Sequence, residues 1–298
     1  MTTEAPKFQD LGIRVVEEAN PVDNVVRFEI FRDLPVVSAY SWGKALGLDG
    51  AANMSVSAKF PDAEHAEQRA IQFLTLNGID YQATMNVVPK YPIDPLSQQI
   101  DNASFASINS QRSENGWAET HLNAVWSGEI GIGLGVKPAD CPAVNAYGLD
   151  RNDRPVNMLI HLSYHTVDMN LAHDAILFMD SHLGVDPSRA RVAVSPTVSR
   201  DNYSFPLRDV GLIKNLRHWH GQLDQRGDRI HLDLQGATVL QLLAAGIRPE
   251  NMEVHRVDTF EAARRREGHS DRYAKSMTSV DPGYKPGRFY FVTMLTEK

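Results

Sequence analysis

Cysteine is the scarcest resource in this chain. Cys141 is alone among 298 residues, which excludes an internal disulfide. Long apolar runs are lacking too: nothing approaches the ~20 residues of a membrane-spanning helix. Positive charge is in deficit, with 30 Lys and Arg against 37 Asp and Glu and a net charge of -7. A nucleic-acid partner therefore gains no support from the overall charge. The N-terminal MTTEAPKFQD lacks the basic and apolar regions of a signal peptide. Together these absences lead to the expectation of a cytoplasmic protein with no membrane and no nucleic-acid partner. Common chemical signatures are missing as well. Gly131, Gly133 and Gly135 follow GxGxG rather than GxGxxG, and the chain contains no P-loop and no HExxH.

What is present reads as a folded enzyme-sized chain. Hydrophobic residues make up 42% and charged residues 22%, the balance of a globular protein able to bury a sizeable core. Residues 1–24 are polar and read as a loose arm, and residues 25–298 as one domain. Val26, Phe28 and Ile30 alternate with polar neighbours as in a half-exposed strand, and Pro35 to Tyr40 continues as another. Asp62 is placed to cap a helix carrying Ala66, Ala70, Phe73 and Leu74, with Gly78 ending it. Residues 89–120, rich in Pro, Ser, Asn and Gln, read as a long loop insertion.

The second half alternates strand and helix. Helical spacing of Val167, Leu171, Phe178, Met179 and Leu183 predicts one helix over 167–183. Ala190 to Val194 reads as a strand, Asp233 as the cap of a helix ending at Gly246, and Met252 to Val257 as a strand. Arg264-Arg265-Arg266 reads as an exposed helix face, and Phe289 to Leu295 as an internal strand apolar on both faces. His218-Trp219-His220 reads as a surface aromatic segment. No regular βαβ period emerges, so the expected class is α/β (α+β), with mixed β-sheets flanked by helices.

The chemistry concentrates in residues 131–166. An apolar run from Gly131 to Val136 leads into Pro138-Ala139-Asp140-Cys141-Pro142, and a second, Val156 to Ile160, leads into His161. Each candidate therefore sits where a strand gives way to a turn, a rigid mount for chemistry. His161 and His165 have i, i+4 spacing, but the preceding strand argues against one shared helix.

Ala139-Asp140-Cys141-Pro142, followed twenty positions later by His161-Leu162-Ser163-Tyr164-His165-Thr166, resembles the laccase-domain (YfiH-like) family. That family is also labelled multicopper polyphenol oxidoreductase, and its members are understood as purine nucleoside phosphorylases. Asn53-Met54-Ser55, Ala193-Val194-Ser195-Pro196-Thr197, Tyr203, Asp258-Thr259 and Gly287-Arg288 fall in the family's order. The resemblance implies a YfiH-like fold and a zinc ion held by one cysteine and two histidines, here Cys141 and His161 with a third ligand. Three such ligands leave a fourth position open for water or substrate. It implies a nucleoside and phosphate as small-molecule partners, with Lys44, Asn53 and Arg288 as substrate-binding candidates.

The departures are specific. Gln82-Ala83-Thr84 is the nearest match to the segment bearing the family's first histidine, and Thr84 is a poor zinc ligand. Lys44 stands near the family's early arginine without its bidentate fork. Asn123 replaces an aspartate, and Ser163-Tyr164-His165-Thr166 replaces Gly-Trp-Arg-Gly. His165 is open to three roles: replacement ligand, base for Cys141, or surface residue. His121 could fold back as a ligand.

The leading expectation is a metal-assisted nucleoside phosphorylase or deaminase. A second is a metal-free hydrolase or deamidase with Cys141 as nucleophile, His161 or His165 as base, and Asp140 or a backbone carbonyl orienting the imidazole. A third is a non-catalytic relative that binds a small ligand.

Overall fold

The computed structural model describes residues 8–19, 25–42, 54, 63–88, 118–120, 122–265, 267, 269–277 and 287–297. Expectations for Lys44, Asn53, Asp62, His121 and residues 89–117 lie outside the described residues.

The central strands are buried on both faces, and this builds four layers. One six-stranded sheet runs in the order β1 (Arg14–Val16), β14 (Met252–His255), β10 (Arg191–Val194), β8 (Ala143–Leu149), β9 (Pro155–His161), β6 (Ala124–Ser127). Its outer face carries Val144, Ala146, Met158 and Ile160. These pack on α3 (Leu171–Leu183) and α4 (Leu234–Ala244), whose buried Ile176, Met179, Val239 and Leu242 complete that core. The second sheet runs β2 (Val25–Arg27), β3 (Val36–Ser41), β15 (Phe291–Leu295), β7 (Gly133–Val136), β4 (Thr84–Val87), β5 (Ala118–Thr120). Its inner face, with Tyr40, Leu134 and Phe291, meets Ala143, Tyr147 and Leu159 of the first sheet. Its outer face, with Ala39, Tyr290 and Val292, packs on Phe73 and Leu74 of α1 (Ala63–Leu76). A small antiparallel sheet, β11 (Ser204–Pro206), β13 (Arg229–Leu232) and β12 (Leu223–Arg226), stands apart. Three short α-helices, α2 (Tyr164–Asp168), α5 (Thr259–Arg264) and α6 (Asp271–Met277), and several 3-10 turns lie between these elements. Both large sheets mix parallel and antiparallel pairs, as expected for the α/β class.

Several expectations change in detail. The single helix over 167–183 is two: Asn170 takes a left-handed conformation at φ 66° and separates α2 from α3. Phe8 and Ile13 join the core and β1 pairs with β14, so residues 8–19 are not a loose arm. Residues 118–120, placed in the insertion, form β5. Ile30 leaves the strand pattern because its amide and that of Glu29 donate to the Glu253 carboxylate (2.7 and 3.2 Å), turning residues 29–31 into a 3-10 turn. Trp219 is not at the surface: it is fully buried and its indole N–H donates to Asp168 Oδ1 at 3.1 Å. An aromatic with a polar handle is satisfied best inside, beside a fixed acceptor.

Two buried polar clusters stand among the apolar residues of the paired sheets. Thr293 Oγ donates toward the amide oxygens of Asn145 and Asn157, both at 3.1 Å. Tyr40 OH, His255 and Glu253 form a buried chain, at 2.8 Å and 2.7 Å.

A candidate site where the strand ends meet

The antiparallel register fixes the central geometry. Ala143, two residues beyond Cys141, pairs with His161, so β8 begins where β9 ends. The Leu162 amide donates to the Pro142 carbonyl at 2.9 Å, tying the cysteine loop to the histidine turn. Ser195, just past β10, accepts from the Ala143 amide at 2.8 Å and brings a third strand end to the same edge. Ser163 then caps α2 through a reciprocal capping box with Thr166. Short polar residues thus turn the chain at each strand end and leave the chemistry-bearing side chains between them.

His161 is buried, and its Nδ1 lies 3.2 Å from Asn123 Oδ1. With that oxygen as acceptor, Nδ1 carries the proton and Nε2 keeps its lone pair. Burial, helped by the Arg288 guanidinium, pushes the imidazole pKa down to about 3, so it is neutral at physiological pH. Cys141 is partly buried. Its thiol is pushed up to about 12, chiefly by burial and then by the Asp140 carboxylate, with Arg288 and Arg272 acting in the opposite sense. Arg288 therefore acts on both Cys141 and His161, and the three groups share one end of the sheets. Arg272 adds a second cation. Its guanidinium lies 4.5 Å from the Tyr203 ring centre and 4.2 Å from that of Phe205. Tyr164 continues this aromatic wall, 5.4 Å from Phe205.

Asp140 has a different place from the one its sequence position suggests. Its Oδ1 accepts from Thr259 Oγ at 2.9 Å and its Oδ2 from the Arg272 amide at 2.8 Å. Its backbone oxygen accepts from Thr197 Oγ and from the Val198 amide. The carboxylate pins the cysteine loop to α5 and α6. It is Asn123, not Asp140, that holds the His161 ring. His165 sits on α2 with its ring 3.8 Å from that of Tyr164. The charged groups acting on it are Asp168 and Lys214, a different neighbourhood from that of Cys141.

Thr84 is not at the metal-ligand end of its strand. β4 and β7 run parallel with Thr84 opposite Gly133 and Val87 opposite Val136. Cys141 follows the far end of β7, so Thr84 lies three residues back, roughly 10 Å of strand. Its hydroxyl is committed to the Asp80 carbonyl at 2.7 Å. The residue at the near end of β4 is Val88, partly exposed and without a ligating atom. Among the described residues no three His, Cys, Asp or Glu side chains converge as a metal-binding group. The described donor set is therefore Cys141 and His161 alone, which does not fit a three-ligand zinc ion.

Arg272 and its aromatic bed escaped the sequence reading. The exposed helix face expected at Arg264-Arg265-Arg266 stops short of Arg272, and only the fold returns α6 to the cysteine loop. The available signal was local: Tyr203 and Phe205 alternate on one strand face.

A mixed α/β protein with a thiol, a neutral imidazole and two guanidinium groups at one set of strand ends is the class defined so far. The family model described as multi-copper polyphenol oxidoreductase laccase matches residues 87–278, and the chain belongs to that family. Its fold is shared with solved structures. Hypothetical protein YfiH of Bacillus licheniformis is 14% identical with a TM-score of 0.71, over 92% of this chain and 97% of that one. YlmD from Geobacillus stearothermophilus is 16% identical with a TM-score of 0.70, over 93% and 98%. Protein NMB0706 of Neisseria meningitidis is 14% identical with a TM-score of 0.67, over 92% and 100%. No curated protein matches the chain. No helix among the described residues is long and apolar enough to cross a membrane.

Proposed function

We propose that this chain is a nucleoside-phosphorylase-like member of its family, acting at the Cys141–His161–Arg288 site. The observation that carries the reading is the place of Arg288: its guanidinium donates to the Lys137 carbonyl at 3.5 Å and the next residue's amide to the Pro138 carbonyl at 3.1 Å, which sets its charge beside the loop that bears Cys141 and near the buried imidazole. A cation beside a neutral imidazole suits an oxyanion, because the guanidinium fork matches phosphate geometry. The half-buried Tyr164 and Phe205 rings, with the planar Arg272 guanidinium packed on Phe205, offer flat surfaces for a purine to stack on.

In the reaction, a phosphate oxygen attacks C1′ of the ribose as the bond from C1′ to the base nitrogen breaks. The electron pair leaves on the base, which takes up the proton that the attacking phosphate gives up, and ribose 1-phosphate forms. Arg288 orients the phosphate and offsets its charge as it approaches. His161, neutral and fixed by Asn123, accepts a hydrogen bond through Nε2. Cys141 remains a thiol, an apolar and weakly donating wall. No step is assigned to zinc, because the described donors do not complete its ligand set.

The raised thiol and the apolar Val88 favour a second reading, a relative that binds a nucleoside without turnover. The test is chromatographic detection of free base from inosine or adenosine with phosphate, using protein whose metal content is measured first. Phosphate-dependent release of base, lost in Arg288→Ala, supports phosphorolysis. Saturable inosine binding without release supports the second reading. Neither binding nor release overturns both.

A further inference from the structure

A cavity lies at the opposite end of the first sheet from Cys141. It has a volume of about 700 Å³ and opens where β8 ends, β9 begins and β10 begins. β8 is seven residues long, so the two places are separated by roughly 20 Å of strand. Four arginines line this cavity: Arg151, Arg189, Arg191 and Arg248. In a chain of net charge -7 such a concentration is unexpected.

Three carboxylates, Asp150, Asp153 and Asp186, line the same cavity, and two of them are spent on local turns. Asp150 accepts from the Asn152 and Arg154 amides at 2.8 and 2.9 Å and holds the Arg154 guanidinium at 2.7 Å. Asp186 accepts from the Ser188 amide at 2.8 Å. Arg189 and Arg248 stand close enough to Asp186 to favour its charged form, yet they make no ion pair with it. None of the four arginine side chains has a hydrogen bond or ion pair among the described residues. Beside them Leu34, Pro35 and Leu149 present an apolar flank. Arg191 begins β10 opposite Tyr147 on β8, so its backbone position is fixed by the sheet.

We propose that this arginine-lined cavity is a binding site for an organic phosphate, separate from the Cys141 site. Guanidinium forks take phosphate oxygens two at a time, and unspent arginines give up no existing ion pair on binding. The volume falls in the range of small-molecule sites of roughly 300–1,000 Å³. The apolar flank takes the organic body, so the site prefers a phosphate ester to the free ion.

The test uses the full-length chain in low salt, because screening weakens exposed charges. Inorganic phosphate, pyrophosphate and ADP are titrated calorimetrically into the wild type, the double variant Arg189→Gln/Arg248→Gln, and Arg288→Ala. All three substituted residues are at least partly exposed, so each variant keeps the core. The expected result is saturable binding of ADP, tighter than inorganic phosphate, weakened at least about tenfold in the double variant and unchanged in Arg288→Ala. Absence of saturable ADP binding, survival of binding in the double variant, or its loss in Arg288→Ala alone each overturns the proposal. Equal affinity for free phosphate and ADP overturns the organic-phosphate assignment.

Discussion

Alkylation of Cys141 gives the sharpest check on the electrostatics of the strand-end site. The ordinary thiol value is 9.0, and here burial followed by the Asp140 carboxylate pushes it up to about 12. At pH 8 the thiolate fraction then falls from about one in ten to about one in ten thousand. Since the thiolate is the reacting form, iodoacetamide should label the native protein about a thousandfold more slowly than the urea-unfolded chain. Cys141 is the only cysteine, so intact mass reads the adduct without interference. A closed approach would slow labelling without moving its pH dependence, so the profile decides. The log rate for native protein should climb with unit slope through pH 10, while the unfolded chain levels off near its ordinary value. Arg288→Ala should push the inflection further up, because that guanidinium favours the thiolate. A native inflection at or below 9 would refute the reasoning and restore a cysteine nucleophile as the leading chemistry.

Three further predictions rest on packing and protonation. The His161 imidazole falls to about 3 from its ordinary 6.5, so the unfolded chain takes a proton that the native site refuses. Its contribution to stability is present above pH 6.5 and lost as pH falls toward 3, with a slope of up to about 1.4 kcal/mol per pH unit. Urea unfolding at pH 7, 5 and 4 should show that slope shrink in His161→Asn, and an identical slope in both proteins would contradict the account. Gly135→Ala places a methyl 2.6 Å from the ring of fully buried Tyr290, whose hydroxyl is held by Asn86. It should cost about 1–3 kcal/mol in the same assay, and an unchanged midpoint would show that the ring can move. Tyr40→Phe removes the partner of buried His255 between the sheets. A loss of about 1–3 kcal/mol is expected, and neutrality would mean that the buried chain is not worth its parts.

Local pattern made much of the fold legible. Asp233 caps its helix through the Gly236 amide, Gly78 and Gly246 take the positive φ their positions require, and β15 is buried along its whole length. These are short-range or compositional effects that a sequence displays directly. The approach of Cys141 to His161 was legible only in part: the apolar runs 131–136 and 156–160 fall in different sheets as β7 and β9, and it is β8, a strand the sequence pattern did not mark, that pairs with β9 and brings the cysteine loop to His161. What escaped depends on distant partners. Asp140 read as a catalytic carboxylate because its hydrogen-bond donors, Thr259 and Arg272, lie more than a hundred residues later. Thr84 read as the lost ligand because the sequence fixes neither the register of β4 against β7 nor which strand end faces the cysteine. The break at Asn170 hides inside an unbroken helical spacing of apolar residues. The arginine cavity gathers residues from four separate turns, none unusual alone.

The central claim is that Arg288 serves a ligand lodged between Cys141 and His161. Calorimetric titration of inosine in the presence of phosphate, into the wild type and Arg288→Ala, tests it most directly. Saturable binding that requires phosphate and weakens at least about tenfold in the variant is the predicted result. Binding indifferent to both phosphate and Arg288, or no binding at all, would contradict it.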